Sequence, residues 1–321
     1  MVREKVCEPS AHEFLLIVAG LEQAYSLPTL ERDWFTYDKL RQMLQDLDFT
    51  STPGIPYMRE APTIGQWLGW DGIGNFDESQ VLRLWHDVQL CHAGKWRHLY
   101  RAFIKEEPHK QSKIQAKRWR LILCAALPMQ MLWRMAVKHQ NQWLNDHPYE
   151  CPSAHGLVFC YGGWRRFQAH CRAHRIKYSR DISSWDVNAP GWVFRALREW
   201  RKRAGGPDDW LRVMDLLYDD AFVSSEIRFS NGIVVRQMYE GTMKSGLYIT
   251  ISDNSAGQVA IDIGACLRSG QKRGAMKATG DDVIQEFISD SYLDELEKLG
   301  CVVKEYEASL IFMGTDFNEE S

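Results

Sequence analysis

Apolar residues recur every three to four positions over residues 11–25, 80–90 and 128–144, and this spacing predicts three amphipathic helices. Pro190 suits a first helical turn, and the helix it opens carries Val193, Ala196, Leu197 and Trp200 on its apolar face. A further helix follows from Leu247, marked by Leu247, Ile251, Val259 and Ile263, and another over residues 291–299 stops at Gly300, a fitting C′ residue. Alternating runs predict strands over residues 175–180, with Asp181 at the exit, and over 276–279 and 283–287 on either side of Gly280-Asp281-Asp282. Ser230-Asn231-Gly232 signals a type I′ hairpin between residues 222–229 and 233–239. Turn-rich stretches lie at residues 52–56 and 71–75. Helices interspersed with strands and hairpins predict an α+β molecule, an antiparallel sheet backed by helices.

Composition adds size and charge to this pattern. A chain of 321 residues with 45% hydrophobic content can bury a large core, as one domain or two subdomains. The formal net charge of −3 hides strong segregation. Residues 95–120 hold nine Lys or Arg against two Glu, residues 161–203 hold eleven against three acidic, and the last 41 residues hold twelve acidic against two basic. Basic runs interleaved with Trp96, Tyr100, Trp119 and Trp164 suit phosphate neutralisation with base or ribose contact, although large aromatics more often serve a core. Eight scattered cysteines without a C-x2-C pair point to reduced thiols and away from zinc, and Cys171 with His174 reads as a surface feature of a helix. No stretch reads as a signal peptide or membrane span.

Three polar clusters punctuate the second half: Asp181 to Asp186 (D-I-S-S-W-D), Ser245 to Asn254 (S-G-L-Y-I-T-I-S-D-N) and Gly280 to Asp282 (G-D-D). Each alone has an ordinary reading. The first could begin a helix, the second could be caps and surface polar groups, and the third could be a tight turn. Thr250 and Asn254 share a helix face, and after a Ser-Gly loop they could instead read a ribose. Two aspartate sites about a hundred residues apart meet on metal ions only when both sit at the ends of neighbouring strands, and a phosphoryl-transfer centre is the common outcome.

In order and spacing the clusters resemble motifs A, B and C of the palm of viral RNA-dependent RNA polymerases of positive-strand RNA viruses. Lys105-Glu106-Glu107-Pro108-His109-Lys110, Lys113 and Arg118-Trp119-Arg120-Leu121-Ile122 resemble motif F, in wording closest to the sobemovirus and polerovirus lineage. Ser51-Thr52-Pro53-Gly54 resembles motif G, Leu299-Gly300-Cys301-Val302-Val303-Lys304 motif D, and Phe312-Met313-Gly314-Thr315-Asp316-Phe317 motif E. The resemblance covers roughly residues 50–317.

It implies a right-hand polymerase fold, with fingers over residues 1–174 and palm over 175–321, the thumb largely absent because only Asn318 to Ser321 follow motif E. It implies that Asp181 and Asp281, with Asp282 beside them, ligate two Mg²⁺ ions, for which Mn²⁺ can substitute. Asp186, Ser245, Thr250 and Asn254 correspond to the ribose-selecting group, Lys105, Arg118 and Arg120 to the triphosphate-binding cations, and Lys304 to a catalytic lysine that protonates pyrophosphate. The implied partners are RNA template and product, ribonucleoside triphosphates and other viral replication proteins. The implied setting is the host cytoplasm, within viral replication complexes. A reverse transcriptase shares the palm and carboxylates, but Asn254 and Gly280 favour ribonucleotide use. A non-catalytic RNA-binding remnant is the alternative of a different class.

Overall fold

The computed structural model describes residues 6–108, 111–117 and 119–317. At its centre lies the helix Thr250–Ser269, in which every residue from Ser252 to Cys266 is buried. A helix covered on all sides belongs in the core of a large domain. The helix Ala11–Ala24 packs on it, started by a capping box in which Ser10 Oγ accepts from the Glu13 N–H at 3.3 Å and Glu13 Oε2 accepts from the Ser10 N–H at 2.7 Å. The two helices come close at Gly20, where a Cβ would stand 2.9 Å from the Ile263 side chain. The helix Gly191–Arg203 also packs on the central one and buries the expected Val193, Ala196, Leu197 and Trp200.

Among the described residues ten strands form three sheets. In one, β1 (Tyr100–Ile104) pairs antiparallel with β2 (Leu121–Cys124) and parallel with β4 (Glu226–Arg228), which pairs antiparallel with β5 (Val234–Arg236). In the second, β3 (Tyr178–Ile182) lies between β7 (Asp282–Gln285) and β8 (Val303–Glu307), and β6 (Met276–Thr279) flanks β7; every pairing is antiparallel. A small hairpin, β9 (Ile311–Phe312) and β10 (Thr315–Asp316), turns through Met313 and Gly314, both at positive φ. This is the α+β architecture that the resemblance implies, an antiparallel palm sheet backed by helices beside a fingers sheet.

Several sequence expectations need correction. Residues 222–225 do not begin a strand, because Phe222 ends the helix Asp208–Phe222 and is stacked on Phe194 with ring centroids 3.9 Å apart. The hairpin that follows is shorter than expected and joins the fingers sheet through β1, not the palm sheet. Its turn is not type I′, since Gly232 has φ 89° while Asn231 keeps negative φ and caps the turn by accepting from the Ile233 N–H at 3.1 Å. Ile251 is about half exposed, unlike its fellow markers Leu247, Val259 and Ile263. Cys171 is no surface residue: it is fully buried in a second apolar cluster with Phe167, Ile284, Phe312 and Phe317. β4 pairs with β1 and β5 with β4, so the sheet begun by β1 and β2 is completed by strands that lie beyond residue 174 in the chain.

Candidate active site

Asp181 is the next-to-last residue of β3, and the ladder pairs Arg180 with Val283, so one residue further on Asp181 comes opposite Asp282. The two-residue turn Gly280-Asp281 links Thr279 to its partner Asp282. Gly280 has φ 64°, while nothing lies within 4 Å of where its Cβ would be, so it is the backbone conformation that calls for glycine there. All three aspartates are exposed at one end of the palm sheet. Desolvation, then the Asp281 and Asp181 charges, hold the Asp282 carboxyl above its ordinary range. Such a cluster repels itself and is relieved by a cation.

Lys304, on β8 beside β3, supplies one positive charge as an ion pair with Asp181. That contact holds the Lys304 amine above its ordinary value. Among the described residues no three His, Cys, Asp or Glu side chains close into a cage. Exposed carboxylate oxygens without a cage fit Mg²⁺, which takes one or two carboxylates and keeps its remaining positions for water and phosphate oxygens.

The second polar cluster faces the first across a short hydrogen-bonded chain. Asn254 Nδ2 donates to Asp186 Oδ1 at 2.8 Å, and Trp185 Nε1 donates to Asn254 Oδ1 at 2.9 Å. Burial first, then the charge of Asp281, raises the Asp186 carboxyl, while the Asn254 hydrogen bond and the Arg120 guanidinium lower it. The three polar clusters and the basic β1–β2 end therefore all bear on one side chain. Ser245 docks on β2: the Leu123 N–H donates to its Oγ at 3.4 Å, and the Gly246 N–H donates to the Leu123 carbonyl at 3.1 Å. Thr250 Oγ1 donates to the carbonyls of Lys244 at 3.0 Å and Leu247 at 2.8 Å, so it braces the loop that carries Ser245.

Lys105 and Arg120 meet across the open end of the β1–β2 pair, where the Lys105 N–H donates to the Arg120 carbonyl at 2.9 Å. Glu107 bridges their side chains at 2.7 Å and 3.1 Å, and these cations, Lys105 foremost, hold its carboxyl below the ordinary range. Arg118 lies outside the described residues.

Two contacts went unread in the sequence. Ser255 Oγ accepts from the Gly280 N–H at 2.9 Å and so ties the central helix to the G-D-D turn. Trp185 adjoins Asp186 in the sequence, whereas its partner Asn254 lies 69 residues away and only the fold brings it near.

A family model described as "Viral RNA-dependent RNA polymerase" matches residues 31–309. The chain is 32% identical over 219 residues to the replicase polyprotein P2AB of Southern bean mosaic virus, covering 64% of this chain and 21% of that protein. It is 30% identical over 214 residues to the RNA-directed RNA polymerase of Mushroom bacilliform virus, covering 64% of this chain and 50% of that one. With protein P1-P2 of Potato leafroll virus it shares 27% identity over 304 residues, 85% of this chain and 28% of that protein. It thus spans a fifth to a half of the length of these relatives, which accord with the sobemovirus and polerovirus wording of the motifs. Among solved structures, the Sicinivirus 3Dpol RNA dependent RNA polymerase superposes with a TM-score of 0.74 at 17% identity, covering 93% of this chain and 64% of that one; at that identity the match establishes the fold.

Proposed function

We propose, from the premise that this chain belongs to the viral RNA-dependent RNA polymerase family, that it adds ribonucleotides to an RNA 3′-hydroxyl under the direction of an RNA template. The observation that carries this reading is the meeting of Asp181, Asp281 and Asp282 at one end of the sheet, with Asp186 responding to both Asp281 and Arg120.

Asp181, Asp281 and Asp282 would hold two Mg²⁺ ions, or Mn²⁺ in their place. Bound there, the metals would supply Lewis acidity to the attacking hydroxyl and to the phosphates. Asn254 and Asp186 present an amide donor and a carboxylate acceptor together, the pair that a ribose 2′-hydroxyl satisfies and a deoxyribose does not. Ser245 and Thr250 shape the loop that holds this pair in place. Lys105 and Arg120 bring cationic heads to the β1–β2 end, where a triphosphate would exchange with Glu107 as their counter-charge. Arg118 would join them on the strength of the motif F resemblance. Lys304 keeps its proton through Asp181 and would deliver it to the departing pyrophosphate. Template, product RNA and ribonucleoside triphosphates are the proposed partners, joined by other viral replication proteins in complexes of the host cytoplasm.

Metal binding tests the site independently of turnover. Mn²⁺ affinity, followed by water-proton relaxation, should weaken at least about tenfold in Asp281→Asn, about 1.4 kcal/mol. Equal affinity in the two proteins would remove the carboxylates from the metal site.

A further inference from the structure

Trp185 stands one residue before Asp186 and is buried, with 2% of its surface exposed. An indole N–H can only donate, and an ionised carboxylate can only accept. Asn254, held between the two, therefore has one satisfactory orientation: its carbonyl toward Trp185 at 2.9 Å and its NH₂ toward Asp186 at 2.8 Å. Asn254 is itself 5% exposed, so a reversed amide would leave its buried NH₂ against the indole N–H and its carbonyl against the carboxylate.

An independent observation fixes the indole. Gly257 lies within the central helix, where glycine is less favourable than alanine. A Cβ there would come 3.1 Å from Trp185 Cζ2 and 3.1 Å from Val193 Cγ1. The missing side chain leaves the indole its place against the helix one turn beyond Asn254, and Cζ2 lies on the nitrogen-bearing side of the ring.

We infer that Trp185 is a positioning residue for sugar selection: its indole N–H locks the Asn254 amide so that a donor from Asn254 and an acceptor from Asp186 face the 2′-hydroxyl together. The inference rests on the proposed ribose-reading role of Asn254 and Asp186, and extends it to a residue that does not touch the nucleotide. Trp185→Phe keeps a large aromatic ring but leaves the Asn254 carbonyl without its donor, so the amide samples both orientations. Gly257→Ala keeps the N–H but displaces it.

The experiment is equilibrium binding of matched ribo- and deoxyribonucleoside triphosphates to the protein with Mg²⁺ and a primer-template RNA, for wild type, Trp185→Phe, Gly257→Ala and Asn254→Ala. Thermal unfolding of each protein confirms that it folds. The ribo-over-deoxyribo affinity ratio is expected to fall about tenfold in Trp185→Phe, to fall in the same direction in Gly257→Ala, and to fall furthest in Asn254→Ala. A merely structural role would weaken both sugars alike and leave the ratio unchanged. A ratio that falls in Asn254→Ala but holds in both Trp185→Phe and Gly257→Ala overturns the inference and leaves the ribose reading standing. No sugar preference in the wild type, or none lost in Asn254→Ala, overturns both.

Discussion

Arg201 and Asp253 are both fully buried, with Arg201 Nη2 2.6 Å from Asp253 Oδ1. Tyr218 donates to Asp253 Oδ2 at 2.6 Å, and Gln140 and Asn141 accept from Arg201 at 2.9 Å and 3.0 Å. Asp253 immediately precedes Asn254, so this network anchors the helix turn that carries the proposed sugar-reading amide. Removing one charge strands the other in the core, and Asp253→Asn is expected to lower stability by about 3–5 kcal/mol. Urea unfolding would show a lower midpoint at unchanged slope, and a loss under about 1 kcal/mol would deny the pair its structural role. Arg201 also shows what a sequence window misses. Among the basic residues counted over 161–203, Arg180 and Arg201 are buried, and both face partners more than fifty residues away. Counting charge in a window treats them as surface, because only the folded chain brings up Asp253 and Gln258. Asp181, Asp281 and Asp282 were legible for the opposite reason: they sit at a strand end and in a tight turn, where local pattern decides geometry.

At the scale of elements, the loop entering the central helix holds Lys244, which is fully buried. Its amine donates to Gln237 Oε1 and, at 3.1 Å, to the Thr242 carbonyl, and it lies over the rings of Tyr100 and Phe222. Burial pushes it down to about 7 from an ordinary value of 10.5, partly opposed by the charge of Asp220. Between those two values the unfolded chain holds a proton that the folded chain lacks, so this residue's contribution to stability improves as pH rises. Below pH 7 both states are protonated and the full penalty of burying the cation remains. Lys244→Met should therefore gain most over wild type at pH 6 and least near pH 10, as read from chemical unfolding at each pH. A difference that stays flat across this window would show that the amine is not held neutral by burial. The central helix, the Gly191–Arg203 helix and the β6–β7 hairpin were all readable from period and turn residues. The β4–β5 hairpin was readable only as a hairpin: its pairing with β1 joins residues more than a hundred positions apart, and its exposed Val234 and Val235 carry no mark of which sheet they enter.

For the whole molecule, charge segregation matters more than the net value. Arg120 is exposed at the β1–β2 end, where its guanidinium acts on Asp186. If it contacts phosphate, Arg120→Gln should weaken RNA binding and reduce the slope of log affinity against log salt by about 0.7–0.9. An unchanged slope in fluorescence-anisotropy titrations over a salt series would place the RNA elsewhere. The fold as a whole was legible because seven motifs follow one another in the chain in the order the family uses, and the family match over residues 31–309 agrees. Less legible was how the motifs reach one another, through Trp185, Ser255 and Glu107, because those links join segments distant in sequence or side chains whose partners depend on the fold. The proposal that the carboxylates at the end of the palm sheet perform templated ribonucleotide addition is tested by single-nucleotide extension of a self-priming RNA hairpin with Mg²⁺, run for wild type beside Asp281→Asn. The wild type should add the template-matched ribonucleotide, and the variant should do so at a rate at least about 10³-fold lower, about 4 kcal/mol of lost transition-state stabilisation. Equal rates in the two proteins, or no addition by a wild type that still binds the hairpin, would overturn it.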